Sequence, residues 1–286
     1  MRFRTEIEPT KALQGISHDT PVVLLGSCFT DEIGSRLERD GFEVMHNPFG
    51  PLYNPQSLLT CIKRALEGQE YTAADLTPGS RGFHCLDYAM RYSGDDADVL
   101  LLSLNSTLTA LADALRRQPT VILTLGTAYV YRYLPTGKFV GNCHKFSAND
   151  FSRELMSVDD CFYCISGAAK LLARAGVRQL IVTVSPIRHT GDGLHGNNIS
   201  KSTLLLAADK AVGSQPDFIS YFPSYEMLID DLRDYRFYAS DMKHPSEVAV
   251  DYIYRHFSDT FFNQQTRDRA LEARRLFLAA QHRPIL

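Results

Sequence analysis

The sequence contains no tryptophan, no run of eighteen apolar residues and only six cysteines in 286 residues. A chain of this length with 44% hydrophobic residues can bury a large core without covalent cross-links, so we expect reduced thiols rather than a disulfide framework. Reduced cysteines are typical of a reducing compartment. Residues 1–6 also lack the apolar segment of a signal peptide. These absences predict a cytoplasmic protein without a membrane-spanning helix.

An excess of charge of one sign is absent as well. The 30 lysines and arginines nearly balance the 33 aspartates and glutamates, which leaves a formal charge of −3. This balance gives no electrostatic reason to expect nucleic acid as a partner. The sequence has no internal repeat and no low-complexity segment, and it does not determine the oligomeric state.

Strand-like and helical patterns alternate along the chain. The apolar runs typical of strands are Val22–Leu25, Glu43–His46, Val121–Leu125, Gln179–Val184 and Phe218–Phe222. The helical patterns are Thr30–Asp40, Gln56–Glu67, Ser106–Arg117, Asp159–Ala175, Ile199–Ala211 and Pro245–Phe262. This alternation predicts an α/β fold with a central, mostly parallel sheet.

The domain organisation follows from these patterns. We expect one α/β domain over residues 1–262 and a C-terminal helical extension over residues 263–286. Residues 70–95 follow neither period and predict an irregular insertion. A β-hairpin over about residues 128–142 is indicated by Pro135-Thr136-Gly137 between two strand-like runs. The glycine-rich residues 191–196 predict a flexible loop or lid.

Several polar segments follow directly after the predicted strands. They are Ser27, the loop Asn47–Asn54, Gly126-Thr127 and Ser185–His189. Open parallel sheets bind ligands beyond the carboxyl ends of their strands, so we expect these segments to meet at one edge.

Ser27 is a candidate nucleophile. It lies in a tight turn between an apolar strand and a helix that begins near Thr30, where backbone N–H groups stabilise negative charge. A serine hydroxyl needs a base to take its proton. His244 is the candidate base, and Asp241, three residues earlier, is the candidate carboxylate that fixes its tautomer. The same spacing also fits a capping aspartate beside a surface histidine.

Other polar residues have two open interpretations. Arg188 is a candidate for binding a substrate carboxylate or phosphate, and His189 and His144 are candidates for substrate binding. Each could equally be a buried, hydrogen-bonded structural group. Cys28 is an alternative nucleophile of a thiol enzyme, with core packing as the other interpretation. A tyrosine face at residues 129, 131 and 133 fits either ligand binding or ordinary sheet packing.

Cys161-x-x-Cys164 has the spacing of a zinc or redox site, but it lies inside a helical pattern. A zinc site would need a second pair, for which only Cys143-His144 is available. We therefore interpret these cysteines as core residues and expect no metal.

Several motifs together resemble the GSCFA family. Gly26-Ser27-Cys28-Phe29-Thr30 resembles the pentapeptide that gives the family its name, with Thr30 in place of alanine. The resemblance covers about residues 20–260. Its further motifs are Asn47-Pro48-Phe49-Gly50 with Asn54-Pro55, Thr124-Leu125-Gly126-Thr127, Asn142-Cys143-His144-Lys145, Ser185-Pro186-Ile187-Arg188-His189, Phe222-Pro223-Ser224-Tyr225-Glu226, Tyr235-Arg236-Phe237-Tyr238 and Asp241-Met242-Lys243-His244-Pro245-Ser246.

The GSCFA family is similar to the SGNH (GDSL-like) esterases and lipases. The resemblance implies a flavodoxin-like three-layer α/β/α fold and a Ser-His-Asp triad, here Ser27, His244 and Asp241. It also implies an oxyanion hole, in which Ser27 and Gly50 match the first two donors. The SGNH asparagine after the third strand is replaced here, and the candidate third donors are Thr127, Asn142 and Asn54.

The function predicted from the residues and the resemblance is that of a serine ester hydrolase without a cofactor. The expected partner is a small-molecule or carbohydrate ester, with a small acyl group such as acetyl favoured. Asn54 is a further candidate for substrate binding. The alternative is a non-catalytic carbohydrate- or ligand-binding protein that retains the fold.

Overall fold

The computed structural model describes residues 4–8, 12–80 and 82–281. The strands in these residues are β1 (Val22–Gly26), β2 (Val44–His46), β3 (Thr77–Gly79), β4 (Gly82–His84), β5 (Ser93–Gly94), β6 (Thr120–Leu125), β7 (Tyr129–Tyr133), β8 (Lys138–Val140), β9 (Phe151–Leu155), β10 (Gln179–Val184) and β11 (Ile219–Tyr221). The α-helices are α1 (Cys28–Arg39), α2 (Pro55–Leu66), α3 (Ala97–Arg116), α4 (Val158–Arg174), α5 (Gly193–Ser214), α6 (Ser224–Glu226), α7 (Glu247–Phe261) and α8 (Gln264–Gln281). A π-helix, Met227–Leu232, directly continues α6.

Five strands form the central sheet in the order β11-β10-β6-β1-β2, and every neighbouring pair is parallel. Numbered along the chain, these strands are arranged 2-1-3-4-5, which is the flavodoxin-like order. The strand order therefore reverses between β1 and β6, and ligands of such sheets bind at this point. The predicted α/β fold with a parallel sheet is confirmed.

The sheet is buried on both faces, which produces three layers. Val22 and Leu24 of β1 pack with α1, α7 and α8, whereas Val23 and Leu25 pack with α2 to α5. The alternation arises because successive side chains of a strand point to opposite faces. The near-continuous apolar composition of β1, β6 and β10 follows from this burial.

Two helices begin six or more residues before their predicted starts, whereas the bounds of the other four predicted helices agree within two residues. Helix α3 begins at Ala97, nine residues before the predicted Ser106, because Asp96 caps it by accepting the N–H groups of Asp98 and Val99. The glycine-rich residues 191–196 are not a loop, so that prediction was wrong. They belong to a 3₁₀ turn, Thr190–Asp192, and to the first turn of α5.

Helix α3 is also long and apolar enough, by length and composition alone, to cross a membrane. In the structure its leucines at positions 104, 108 and 111 are buried in the core beneath the sheet. This spacing of three and four residues places these leucines on one buried face of an amphipathic helix.

Two small antiparallel sheets lie outside the central one. Residues 70–95, predicted to be irregular, contain the sheet β3-β4-β5. Strands β7 and β8 pair as a hairpin, and β9, which no sequence pattern indicated, pairs with the other edge of β7.

Helix α8 occupies most of the predicted C-terminal extension. It buries Ala270, and the guanidinium of Arg274 donates from Nε to Oδ1 of the buried Asp40 at 2.8 Å. Residues 282–286 of the predicted extension and residues 1–3 of the segment considered for a signal peptide lie outside the described residues.

Candidate active site

Ser27 lies at the switch point of the sheet, between the end of β1 and the start of α1. Its Oγ accepts a hydrogen bond from Phe29 N at 3.3 Å, so it caps the helix. Its backbone N–H donates to the carbonyl of Thr124 at 3.1 Å. Ser27 is fully buried, with 0% of its surface exposed.

Asn47, which the sequence did not single out by itself, holds the turn around Ser27. Its Oδ1 accepts from Gly26 N at 2.9 Å, and its Nδ2 donates to the Ser27 carbonyl at 3.3 Å. Gly26 has a φ of +151°, and a Cβ there would lie 2.3 Å from the carbonyl oxygen of Thr124. Only glycine fits this close approach of two backbones.

The structure brings Asp241 and His244 together. The His244 Nδ1 and Asp241 Oδ2 atoms are 2.5 Å apart, and the side chains are about half exposed, at 48% and 44%. Asp241 Oδ1 accepts the backbone N–H groups of Lys243 and His244 at 2.9 and 3.0 Å. Hydrogen bonds from His244 and Lys243 hold the pKa of Asp241 well below its usual value, so the carboxylate is charged.

The loop that carries His244 is tied to the same edge of the sheet as Ser27. The backbone N–H of Arg188, which follows β10, donates to the carbonyl of Lys243 at 3.1 Å. Among the described residues, no hydrogen bond joins His244 to Ser27. Catalytic hydrogen bonds often form only when a substrate is bound.

The predicted oxyanion-hole donors make hydrogen bonds within the protein. The backbone N–H of Gly50 donates to Asn47 O at 2.8 Å, and that of Thr127 donates to Tyr53 O at 2.9 Å. The Thr127 hydroxyl is 3.0 Å from Ser200 Oγ. The N–H of Ser27 is engaged as well, as described above. The N–H of Cys28, at the first position of α1, has no acceptor in the described part of the chain.

The remaining candidate residues, Asn54, Asn142 and His144, make hydrogen bonds within the protein. Asn54 caps α2 by accepting Ser57 N at 2.9 Å. Asn142 accepts the backbone N–H of His144 at 2.9 Å. The buried His144 donates from Nε2 to Tyr88 O at 2.7 Å, which corresponds to the structural interpretation of this residue.

His144 belongs to a pocket apart from Ser27. Its Nδ1 lies 3.3 Å from His84 Nδ1 and 2.9 Å from Ser93 Oγ. A pocket of about 220 Å³ is lined by Ser80, His84, Met90, His144, Lys145 and Phe146. None of the predicted catalytic residues lines it.

Arg188 lies over two aromatic rings. Its guanidinium carbon is 4.1 Å from the ring centroid of Tyr238 and 5.1 Å from that of Tyr235. No carboxylate pairs with Arg188 in the described residues. A guanidinium held this way is available to an anionic group.

Gly126 separates Ser27 from His189. A Cβ at Gly126 would lie 3.0 Å from Tyr53 O, 3.2 Å from His189 Nε2 and 3.3 Å from Ser27 Cβ. His189 Nε2 is buried and has no hydrogen-bond partner in the described residues. Burial, followed by the positive charges of Lys201 and Arg153, lowers the pKa of His189 to about 3. The imidazole is therefore neutral at ordinary pH.

Lys201 of α5 is a site residue that the sequence did not indicate, because lysines in helical patterns usually face solvent. Its ammonium is fully buried and donates to the carbonyls of Gly126 and Ser185, both at 2.7 Å. It thereby fixes the ends of β6 and β10 next to Ser27. Burial lowers the pKa of Lys201 to about 7.

We expect Lys201 to make the free energy of unfolding depend on pH between about 7 and its ordinary pKa of 10.5. Over this range the unfolded chain keeps the proton that the folded protein releases, so stability rises with pH. Relative to Lys201→Met, the unfolding free energy of the wild type should rise by on the order of 1 kcal/mol per pH unit. Urea unfolding of both proteins at pH 7, 8 and 9 measures this difference. A constant difference would show that folded Lys201 keeps its proton.

Four of the six cysteines are buried, and Cys28 and Cys143 are partly exposed. All six are free, and Cys161 and Cys164 are buried on α4. Cys28 Sγ lies 3.2 Å from the hydroxyl of Tyr53. Within residues 4–8, 12–80 and 82–281, no group of three or more His, Cys, Asp or Glu side chains is arranged to hold a metal ion.

The chain is similar in overall path to solved hydrolase structures. A GDSL-like lipase from Bacteroides thetaiotaomicron is 12% identical, with a TM-score of 0.44 and coverage of 87% of this chain and 90% of that one. A variant of an acetyl-xylooligosaccharide esterase from Geobacillus is 8% identical, with a TM-score of 0.46 and coverage of 89% and 99%.

No curated protein shows significant similarity to this chain. The model of the GSCFA family matches residues 21–257, which include the Ser27 turn, the Gly126 segment and the loop of Asp241 and His244. The match covers most of the chain, and the protein belongs to the GSCFA family.

Proposed function

We propose that this protein is a serine ester hydrolase that uses Ser27, His244 and Asp241. The observation that carries the proposal is the hydrogen-bonded Asp241–His244 pair on a loop tied to the edge of the sheet where Ser27 caps α1. A charged carboxylate behind a histidine orients the ring and stabilises the imidazolium that forms when the histidine takes a proton. The match to the GSCFA family supports the same assignment.

The chemistry is acyl transfer in two halves. Ser27 Oγ attacks the ester carbonyl carbon, and its proton passes to His244 Nε2 while Asp241 holds Nδ1. The leaving alcohol takes that proton as the carbon–oxygen bond of the ester breaks. A water molecule then attacks the acyl-serine with His244 again as base, which releases the acid and restores Ser27.

Ser27 has to be uncovered for this reaction, because its side chain has no exposed surface. The neighbouring Cys28 is only partly buried. We propose that a substrate reaches Ser27 by displacing partly buried side chains next to the turn between β1 and α1. The buried backbone frame of Gly26 and Asn47 stays in place.

We propose a small acyl group, such as acetyl, on a carbohydrate or other small metabolite as the substrate class. Arg188, which lies beside the loop of His244, would bind a carboxylate or phosphate of the alcohol part. Arg188→Met should therefore raise KM for anionic esters by about tenfold and leave KM for neutral esters nearly unchanged, since one charge-assisted hydrogen bond contributes about 1.5 kcal/mol.

The proposal is tested with p-nitrophenyl acetate, butyrate and octanoate at pH 8 and with a fluorophosphonate probe. The wild type should hydrolyse the acetate fastest, and the probe should form a covalent adduct on Ser27. His244→Ala should lose both the ester hydrolysis and the labelling of Ser27 by the probe. Iodoacetamide should leave hydrolysis intact, which separates the serine mechanism from a thiol mechanism at Cys28.

A ligand-binding protein that retains the fold is the second candidate. It is favoured by the complete burial of Ser27 and by the engagement of the Ser27, Gly50 and Thr127 N–H groups with backbone carbonyls. This candidate predicts no probe adduct and no hydrolysis of any of the three esters. If the wild type neither hydrolyses the esters nor reacts with the probe, the ligand-binding candidate replaces the hydrolase proposal.

A further inference from the structure

His189 presents a buried, unpartnered nitrogen to the space beside Ser27. Nε2 makes no hydrogen bond with any described residue. A Cβ placed on Gly126 would lie 3.2 Å from Nε2 and 3.3 Å from Ser27 Cβ, so both atoms border the same small space. Buried ring nitrogens usually have a partner, so an open one beside a nucleophile points to a ligand atom that is absent from the free protein.

The position of the His189 ring is fixed by its surroundings. Its backbone N–H donates to Asn197 Oδ1 at 2.9 Å, which holds the residue at the start of the turn after β10. The ring packs edge-on against Tyr53, with centroids 5.5 Å apart and an angle of 78° between the planes. Donors that are already in place stabilise a developing charge without reorganisation.

The imidazole is a donor rather than a base at this position. Burial and the nearby charges of Lys201, Arg153 and His244 disfavour the imidazolium, so the ring does not gain a second proton at ordinary pH. A neutral ring with its proton on Nε2 donates one hydrogen bond. By contrast, His244 has the carboxylate partner that a general base requires.

Three backbone donors predicted for an oxyanion hole are otherwise engaged, whereas the N–H of Cys28 has no acceptor in the described residues. The N–H groups of Ser27, Gly50 and Thr127 all donate to carbonyl oxygens of the protein. We infer that His189 Nε2–H is an oxyanion-hole donor for acyl transfer at Ser27. This inference rests on the proposed hydrolase function and makes His189 a catalytic residue in it.

The step balances without any proton moving through His189. As the Ser27 Oγ–carbon bond forms, the carbonyl electron pair moves to oxygen, and the Ser27 proton goes to His244. His189 Nε2–H donates to that oxygen and keeps its own proton. When the tetrahedral intermediate collapses, the carbonyl re-forms, and the leaving alcohol receives the proton from His244.

The inference is tested by comparing His189→Ala, His189→Gln and the wild type. His189→Ala should lower kcat for p-nitrophenyl acetate by about 100- to 1000-fold with KM within about threefold, since one oxyanion donor is removed. Glutamine places an N–H close to the position of Nε2, so His189→Gln should recover kcat to within about tenfold of the wild type. The rate of fluorophosphonate labelling should follow kcat in all three proteins.

His256→Ala is the matched control, because His256 on α7 also has a buried ring nitrogen without a partner in the described residues. Its kcat should equal that of the wild type. A merely structural role of His189 would instead lower the melting temperature and leave kcat of the folded fraction unchanged. That result would overturn the inference.

The pH dependence of kcat separates a donor from a base. If His189 is a donor, the profile of His189→Gln keeps the shape of the wild-type profile. If His189→Gln lost the fall of kcat at acidic pH and its kcat stayed as low as that of His189→Ala, His189 would be the base. That result would overturn the inference. A wild type that neither hydrolyses esters nor reacts with the probe would instead refute the proposed function.

Gly126→Ala is a second test that does not replace the His189 side chain. The added Cβ would sit between His189 Nε2 and Ser27 Cβ, at 3.2 and 3.3 Å, in the space where the oxyanion is expected. We expect kcat to fall by at least 100-fold while circular dichroism stays that of the wild type. Wild-type kcat in this variant would place the oxyanion elsewhere and contradict the role of His189.

Discussion

Ser27→Ala is expected to lower ester hydrolysis by about 10⁴-fold or more and to abolish labelling by the fluorophosphonate probe, because no other hydroxyl replaces the nucleophile. The variant should unfold with a free energy about 1 kcal/mol below that of the wild type, since Oγ caps α1 by accepting Phe29 N. Initial rates with p-nitrophenyl acetate and urea unfolding measure the two effects.

Ser157→Ala is the matched control for the lost cap. Ser157 caps α4 by accepting Asp160 N at 3.1 Å, and it has no role in the proposed site. Its loss should cost a similar amount of stability and leave hydrolysis unchanged. If Ser27→Ala hydrolysed esters as well as Ser157→Ala does, Ser27 would not be the nucleophile.

Asp241→Asn is expected to lower kcat by about 10⁴-fold while the loop keeps its shape. The asparagine Oδ1 can still accept the N–H groups of Lys243 and His244, which hold the loop. Its amide NH₂ would face His244 Nδ1 where a carboxylate oxygen now lies 2.5 Å away. The amide therefore favours the tautomer with the proton on Nε2, which cannot accept a proton from Ser27.

Asp234→Asn provides the control for this change. Asp234 caps a short 3₁₀ helix by accepting Arg236 N at 2.9 Å, so the same atoms are replaced in a similar loop. Its kcat for p-nitrophenyl acetate should stay within twofold of the wild type. A kcat for Asp241→Asn within tenfold of the wild type would show that Asp241 does not orient His244.

The order of elements could be predicted from local patterns. The apolar runs that became β1, β6 and β10 are nearly continuous because both faces of a central parallel strand are buried. The insertion over residues 70–95 could not be predicted as a sheet. Its strands have two or three residues each, which is too short for a periodic signal.

Within the candidate site, local signals and tertiary contacts contributed differently. The Asp241–His244 hydrogen bond joins residues three apart in one loop, so their spacing indicated it. The donors of the oxyanion hole could not be assigned, because Ser27, Gly50 and Thr127 direct their N–H groups to carbonyls that depend on how the chain folds. Asn142 and Asn54 likewise became local capping groups.

The sequence by itself determined the α/β class, the family and the serine turn at the end of the first strand, because hydrophobic periodicity and short motifs are local properties of the chain. Only the tertiary structure decided that Lys201 lies under Gly126, that His144 belongs to a separate pocket and that His189 leaves a nitrogen open beside Ser27. These contacts join residues tens of positions apart. The role of each residue depends on its burial and on the geometry of its partners, and no local pattern in the sequence encodes either of these.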